Sequence, residues 1–156
     1  AAEVFAALRR REPGVRLLVV GDGPLRGELE ARLTALGVRD AAVLAGARQD
    51  VPALLDAMDA FLLPSRHEGF PLALVEALCS GLPCVAADAV AREADVTGHT
   101  AFLPRDAARW ARQLLDTPPA DETERRAAQG EVRAAGYDVQ DTAAALVRLL
   151  REEAGI

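Results

Sequence analysis

LLPSRHEGFPLALVEALCSGLPCVAAD, residues Leu62 to Asp88, is the stretch around which the chain is organised. Ala60–Leu63 is a short apolar run stopped by Pro64. Residues 65–70, SRHEGF, are polar and contain a glycine, so they read as a loop. Pro71 suits the first position of a helix, where its φ is already set and its missing N–H costs little. Gly81 and Pro83 end that helix, and Cys84–Ala87 resumes as a buried strand. From Leu72 to Cys79 every residue but Glu76 is Leu, Ala, Val or Cys. A helix apolar on all sides is expected to be buried, and a glutamate is rarely buried without a partner. Its helical neighbours Leu72, Ala73, Cys79 and Ser80 supply no cation. Glu76 is therefore expected to reach a rim or face a polar ligand. Eight positions earlier, Glu68 stands in the loop that feeds the helix. Between the two acids lies a helix amino end whose free N–H groups attract anions, phosphate above all.

The remaining chain alternates strands and helices. An amphipathic helix over 2–11, with Val4, Phe5 and Leu8 inward, ends at Pro13-Gly14. Arg16–Val20 reads as a buried parallel strand running into GDGP. Pro24 opens a helix that carries Leu25, Leu29, Leu33 and Leu36 and stops at Gly37, with Glu28 and Arg32 as an i,i+4 pair. Ala42–Gly46 is a strand, and Asp50 caps a short helix through Met58. After Cys84–Ala87, residues 89–100 are irregular, with one helical turn near Arg92–Asp95. Phe102–Pro104 is a last short strand. Three helices form a tail: one with Trp110, Leu114 and Leu115, one opened by an Asp121–Glu124 capping box, and one with Val139, Ala143, Leu146, Val147 and Leu150. The pattern implies an α/β, Rossmann-like parallel sheet with helices on both faces and a helical C-terminal tail. On such a sheet, ligands bind beyond the carboxyl ends of the strands. Gly21–Gly23, Gly46–Asp50, Ser65–Pro71 and Asp88–Asp95 all follow strands and fall on that rim.

At 156 residues the chain reads as a single domain over 1–156, long enough to bury about 68–70% of its unfolded surface. The formal net charge is −6, and no basic patch recurs along a helix, which argues against nucleic acid as a partner. No apolar run approaches the length of a membrane span, although peripheral association of a longer protein is compatible with this. The chain opens inside a helical pattern, so a truncated start is expected. All 18 basic residues are arginine, which excludes Schiff-base chemistry and the usual P-loop and points to a GC-rich genome. Cys79 and Cys84 sit in apolar surroundings with no nearby ligand residue. They read as reduced thiols, hence a reducing, cytoplasmic compartment. His67 and His99 read as loop histidines, since nothing pairs them at metal spacing.

Two glutamates separated by seven residues, E68-GFPLALV-E76, resemble the signature of the large group 1 family of retaining glycosyltransferases of GT-B fold. LLVVGDGPLRGELEARL (17–33), VLAGARQDVPALL (43–55), DAFLLPS (59–65) and SGLPCVAAD (80–88) are similar to that family's donor-binding half, in the same order. The resemblance covers residues 15–104. It implies binding of a nucleotide-diphosphate sugar and transfer of the sugar to an acceptor hydroxyl, with no cofactor and no metal. It assigns Glu76 to the nucleotide ribose, and Glu68 to the donor sugar as positioning and electrostatic support. Gly69, Phe70 and the N–H groups of Leu72 and Ala73 would receive the diphosphate. Arg48 would flank the nucleobase, although a solvated arginine is an equal reading. Gly21 and Gly23 lie beside the nucleotide in that family. Here Gly21-Asp22-Gly23 with Gly27 misses the dinucleotide fingerprint by one place, so a tight structural turn is preferred to phosphate binding. Glu93 resembles a loop glutamate of secondary importance, and Arg66, which next to Glu68 could reach phosphate, reads by default as a surface residue.

The resemblance also implies a partner, an N-terminal Rossmann-like domain that binds the acceptor. The family carries an Arg and a Lys, upstream of what is present here, that grip the diphosphate. Two such charge-assisted hydrogen bonds are worth roughly 10²- to 10⁴-fold in donor affinity, so the isolated chain is expected to bind weakly and not to turn over. An absent first strand is expected to leave a sheet edge or gap to be covered, and Ala101 stands where the family often has glycine. A non-catalytic nucleotide-binding regulator is the alternative. An NAD-dependent oxidoreductase is disfavoured by the displaced third glycine.

Overall fold

The computed structural model describes residues 1–66 and 68–154, so the reading of His67 lies outside the described residues. The elements run α1 (Ala2–Arg11), β1 (Leu17–Val20), α2 (Arg26–Ala35), β2 (Ala42–Gly46), α3 (Val51–Asp56), β3 (Phe61–Leu63), α4 (Leu72–Cys79), β4 (Cys84–Ala87), β5 (Thr100–Leu103), α5 (Ala107–Asp116), α6 (Glu122–Ala134) and α7 (Val139–Ala154). Every strand pair is parallel, as alternation of apolar runs with helices requires. The sheet has the expected gap, with β1 and β2 in one ladder and β3, β4 and β5 in order in another. Among the described residues, β1 and β3 each pair on one side only.

Helix α1 ties the two halves together. Its Val4, Ala7 and Leu8 pack with Val85, Ala87 and Trp110 of the three-stranded half. Its Ala2, Phe5 and Ala6 pack with Leu17, Leu33 and Val38 of the two-stranded half. Trp110 is buried, and its indole N–H donates to the Pro104 carbonyl at 2.8 Å, which removes the cost of burying that polar atom. Asp106 caps α5 by accepting from the Ala108 and Arg109 N–H groups. The Asp121–Glu124 capping box of α6 is complete, with both reciprocal bonds at 2.8 Å.

Several local readings change. Helix α2 begins at Arg26, beyond Pro24, and Leu25 is exposed rather than inward. Arg32 does not pair with Glu28. Its Nε donates instead to Glu3 on α1 at 2.8 Å, because α1 lies alongside and offers a better-placed carboxylate. That hydrogen bond holds the Glu3 carboxyl below the ordinary glutamate range. The last strand starts at Thr100, two residues before the expected Phe102. The stripe on α7 has helical spacing, yet Val139, Leu146, Val147 and Leu150 are all exposed, since no described element covers them.

Helix α4 sits against α6 in an antiparallel arrangement. Gly81, just past the end of α4, has φ +69° and lies so close to α6 that an added Cβ would stand 2.6 Å from the Arg125 Cα. Arg125 in turn donates to the carbonyls of Asp56 and Met58, fixing α6 to the chain after α3. Cys84 is buried and Cys79 half-buried, and both are free thiols. Burial first, and Asp95 second, push the Cys84 thiol up to about 12.

Gly81→Ala is expected to cost about 1–3 kcal/mol through overpacking and the left-handed backbone. Gly130→Ala on α6, where an added Cβ meets nothing within 4 Å, should be neutral or stabilising. Urea unfolding of the two variants checks the contrast. A maleimide at pH 8 should label Cys79 and spare Cys84 until the protein unfolds, because a thiol with a pKa near 12 is almost wholly protonated there.

Candidate functional site

The loops of unusual composition lie at the carboxyl ends of the strands, but the divided sheet sorts them into two groups. After β1 and β2, the Gly21 N–H donates to the Gly46 carbonyl at 2.8 Å, tying the GDGP loop to the end of β2. Gly21 has φ +120°, which only glycine adopts readily. The Gly23 N–H is held by the Asp22 carboxylate at 2.9 Å. Arg26 stands in the place of the third fingerprint glycine, and its Nη2 reaches the Leu44 carbonyl at 3.0 Å. Both glycine N–H groups of this turn are therefore engaged within the protein.

Arg48 is engaged as well. Its Nε and Nη2 donate to the two oxygens of Asp50 at 2.8 and 2.6 Å, in a fork geometry on the surface. This hydrogen bond holds the Asp50 carboxyl below its usual range and raises the arginine. The expected cap of α3 fails for the same reason. Asp50 occupies the N-cap position, but its carboxylate makes no cap bond because it faces Arg48.

The second group surrounds the amino end of α4. Glu68 is exposed, and its Oε1 accepts from the Ser65 hydroxyl at 2.6 Å. Ser65 was not singled out from the sequence. A serine three residues before an acid, in a loop bounded by Pro64 and Pro71, is the signal that could have found it. Pro71 occupies the N-cap rather than the first helical position. The Leu72 N–H, expected to be free, donates to the Phe70 carbonyl at 3.1 Å, and the Leu74 N–H donates to the Pro71 carbonyl at 2.9 Å. This tight entry consumes two of the end's donors. The Ala73 N–H has no acceptor among the described residues.

Helix α4 is not buried all round, as its composition suggested. Leu74, Val75, Ala77 and Leu78 are buried, while Leu72, Ala73 and Glu76 are exposed. Positions three and four apart share a helix face, so Glu76 lies on the same outward face as the Ala73 N–H. Among the described residues the Glu76 side chain makes no hydrogen bond and no ion pair.

An open cleft of about 1410 Å³ separates the two half-sheets. Val20, Gly21, Gly23, Arg26, Leu44 and Ser65 are part of its wall. The cleft brings the GDGP turn opposite the start of the loop after β3. Arg48, Glu68 and Glu76 do not line it. Glu93 is exposed on a short helical turn, Arg92–Ala94. Among the described residues, no group of three or more His, Cys, Asp or Glu side chains converges to hold a metal ion. No described helix is long and apolar enough to cross a membrane.

Residues 1–117 match the profile of the family described as "Glycosyl transferases group 1". The putative glycosyltransferase EpsF of Bacillus subtilis is 31% identical over 150 residues, which is 92% of this chain and 38% of EpsF. A 2-deoxystreptamine glucosyltransferase of Streptomyces kanamyceticus is 35% identical over 127 residues, 76% of this chain and 33% of that protein. Among solved structures, Anabaena HepE in complex with UDP and glucose superposes with a TM-score of 0.71 at 26% identity, over 96% of this chain and 44% of HepE. The chain thus spans a third to under a half of the length of these relatives.

Arg48→Ala should not lower the urea midpoint of unfolding, and should leave it unchanged or raise it. The exposed pair contributes little, and its loss frees Asp50 to cap α3. A clear fall in the midpoint would show that the fork holds the loop.

Proposed function

This chain belongs to the group 1 glycosyltransferases of GT-B fold, and from that premise we propose that it is the donor-binding half of a retaining enzyme. The donor is a nucleotide-diphosphate sugar, and the sugar passes to an acceptor hydroxyl. The observation that carries the reading is the outward face of α4, where an uncommitted N–H at Ala73 and a carboxylate at Glu76 lie together. The diphosphate meets the amino end of α4, where the helix dipole and the Ala73 N–H favour negative charge. Glu76, about one turn further in, accepts from the two adjacent hydroxyls of the ribose. Glu68, steadied by Ser65, lies ahead of the helix and accepts from the hydroxyls of the donor sugar.

As the glycosidic bond to phosphate breaks, charge grows on the leaving diphosphate. The fixed dipole of α4 offsets that growth without reorganising. A front-face path, in which the departing phosphate takes the acceptor's proton, retains the configuration. In this reading the charge compensation is backbone, and no metal is required. HepE, crystallised with UDP and glucose, supports a uridine donor as the first to test. The open edges of β1 and β3, the uncovered α7 stripe and the greater length of the relatives support a further Rossmann-like half that binds the acceptor. Two free thiols support a reducing, cytoplasmic setting.

Titration with UDP, GDP and ADP at millimolar levels, followed by NMR, should move the amides around Ala73. Glu76→Ala should weaken binding by about 10- to 100-fold, the worth of hydrogen bonds to a charged group, whereas Glu76→Asp keeps a fraction. A chain indifferent to all three nucleotides overturns the donor site. Full-length transfer unaffected by Glu68→Ala points instead to a regulator that binds nucleotide without chemistry.

A further inference from the structure

Phe70 sits between the Glu68-Gly69 turn and α4, and its ring is stacked on Tyr137 with centroids 5.8 Å apart and planes within 6°. The two residues are 67 positions apart in sequence. An aromatic contact between exposed rings at such separation needs a reason, and the backbone supplies part of one. Tyr137 follows the end of α6 in a fully formed Schellman turn. Gly136 has φ +90°, the Gly136 N–H donates to Arg133 at 2.9 Å, and the Tyr137 N–H donates to Val132 at 3.2 Å. On its other side, Asp138 accepts from the Gln140 and Asp141 N–H groups at 2.8 and 3.2 Å, opening α7. Arg133 locks the corner by donating to Asp141 at 2.9 Å. Tyr137 is thus a ring mounted on a corner that is pinned from both sides.

Helix α6 runs back along α4, so it holds both ends of it. Near its start, Arg125 is packed against Gly81 beyond the carboxyl end of α4. Just past its end, Tyr137 covers Phe70 at the amino end of α4. Its last turn is anchored by Val132, which is buried in the same core cluster as Leu74 and Leu78. The Leu72 N–H already bonds the Phe70 carbonyl, so the position of Phe70 sets the entry turn into the helix. Fixing the Phe70 ring therefore fixes the direction of the Gly69, Phe70 and Ala73 N–H groups.

We propose that Tyr137 is a positioning residue for the diphosphate-binding turn, acting through its stack on Phe70. It touches neither nucleotide nor sugar. It lowers the freedom of the 68–73 turn before ligand arrives, so that less ordering is left for binding to impose. Its hydroxyl makes no hydrogen bond among the described residues, so the ring alone carries the effect. The proposal rests on the donor-site reading above.

The test uses the full-length enzyme with Tyr137→Ala, Tyr137→Leu and Tyr137→Phe. Hydrogen–deuterium exchange without ligand is read on the peptide covering 68–75, and calorimetry measures the affinity for UDP. The alanine and leucine variants should exchange faster over 68–75 and bind UDP about three- to tenfold more weakly, the worth of one aromatic pair. Exchange over α5 should not change. Tyr137→Phe should match the native protein in both readouts. The leucine variant keeps apolar bulk without a ring, so it guards against a simple folding defect in the alanine one. Native exchange, or native UDP affinity, in both ring-less variants overturns the proposal. If the native enzyme itself ignores UDP, GDP and ADP, the donor-site reading fails and takes this inference with it.

Discussion

The geometry of the site depends on how α4 is packed. Leu74, Ala77 and Leu78 are almost wholly enclosed, at 0–2% exposure, between α6, the strands and the chain after β4. Burying three apolar side chains of this kind stabilises by several kcal/mol in the aggregate. With those positions turned inward, the 3.6-residue period leaves Leu72, Ala73 and Glu76 no choice but to face out. The Glu76 side chain is held outward by what its neighbours bury, and not by any bond of its own among the described residues. A side chain oriented in this way is available to a ligand without first breaking an ion pair.

The amino end of α4 is cut back by its own entry turn. Pro71 at the N-cap has no side-chain oxygen to offer the first turn, as serine or aspartate would have. The helix instead satisfies Leu72 and Leu74 with short-range carbonyls. What remains open is one helical N–H at Ala73, together with the macrodipole behind it. A capping serine here would have satisfied the end and closed it to a ligand.

Much of this was legible in the sequence because it follows from local rules. The apolar runs and the capping box at Asp121 each act over a few residues and are realised where expected, whereas Pro24 and Pro71 each fall before the first helical residue. Glu76 stood out in the sequence because a lone acid in an apolar helix has few explanations, and the structure places it on the exposed face of α4. What sequence could not give were choices between competing partners. Arg32 had Glu28 one turn away and Glu3 across a helix contact, and it took Glu3. Asp50 could cap α3 or pair with Arg48, and it paired. Leu72 could leave its N–H open or donate it to Phe70. The stack of Phe70 on Tyr137 had no local signal at all, because the two rings meet only after α6 has folded back along α4. The strand order was also hidden, since strands announce their existence by pattern but not their neighbours.

The charge balance of the rim leaves much of the work of holding an anion to backbone. The chain is acidic overall, at −6, and of the arginines near the strand ends three are committed, while Arg66 and Arg105 line the cleft. Arg48 is paired with Asp50, Arg26 reaches the Leu44 carbonyl, and Arg92 lies over the Phe102 ring at 4.7 Å. A helix end alone attracts any anion and distinguishes little. A carboxylate on the same face, about 4.5 Å along the axis from Ala73 at 1.5 Å per residue, changes that. It repels a bare phosphate at this short range, but it attracts a phosphate whose ester carries hydroxyl donors on the adjoining carbon atoms. In the donor-site reading proposed above, the pairing of an N–H end with Glu76 would favour phosphate esters of polyols over inorganic phosphate, through the spacing of two groups on one short helix.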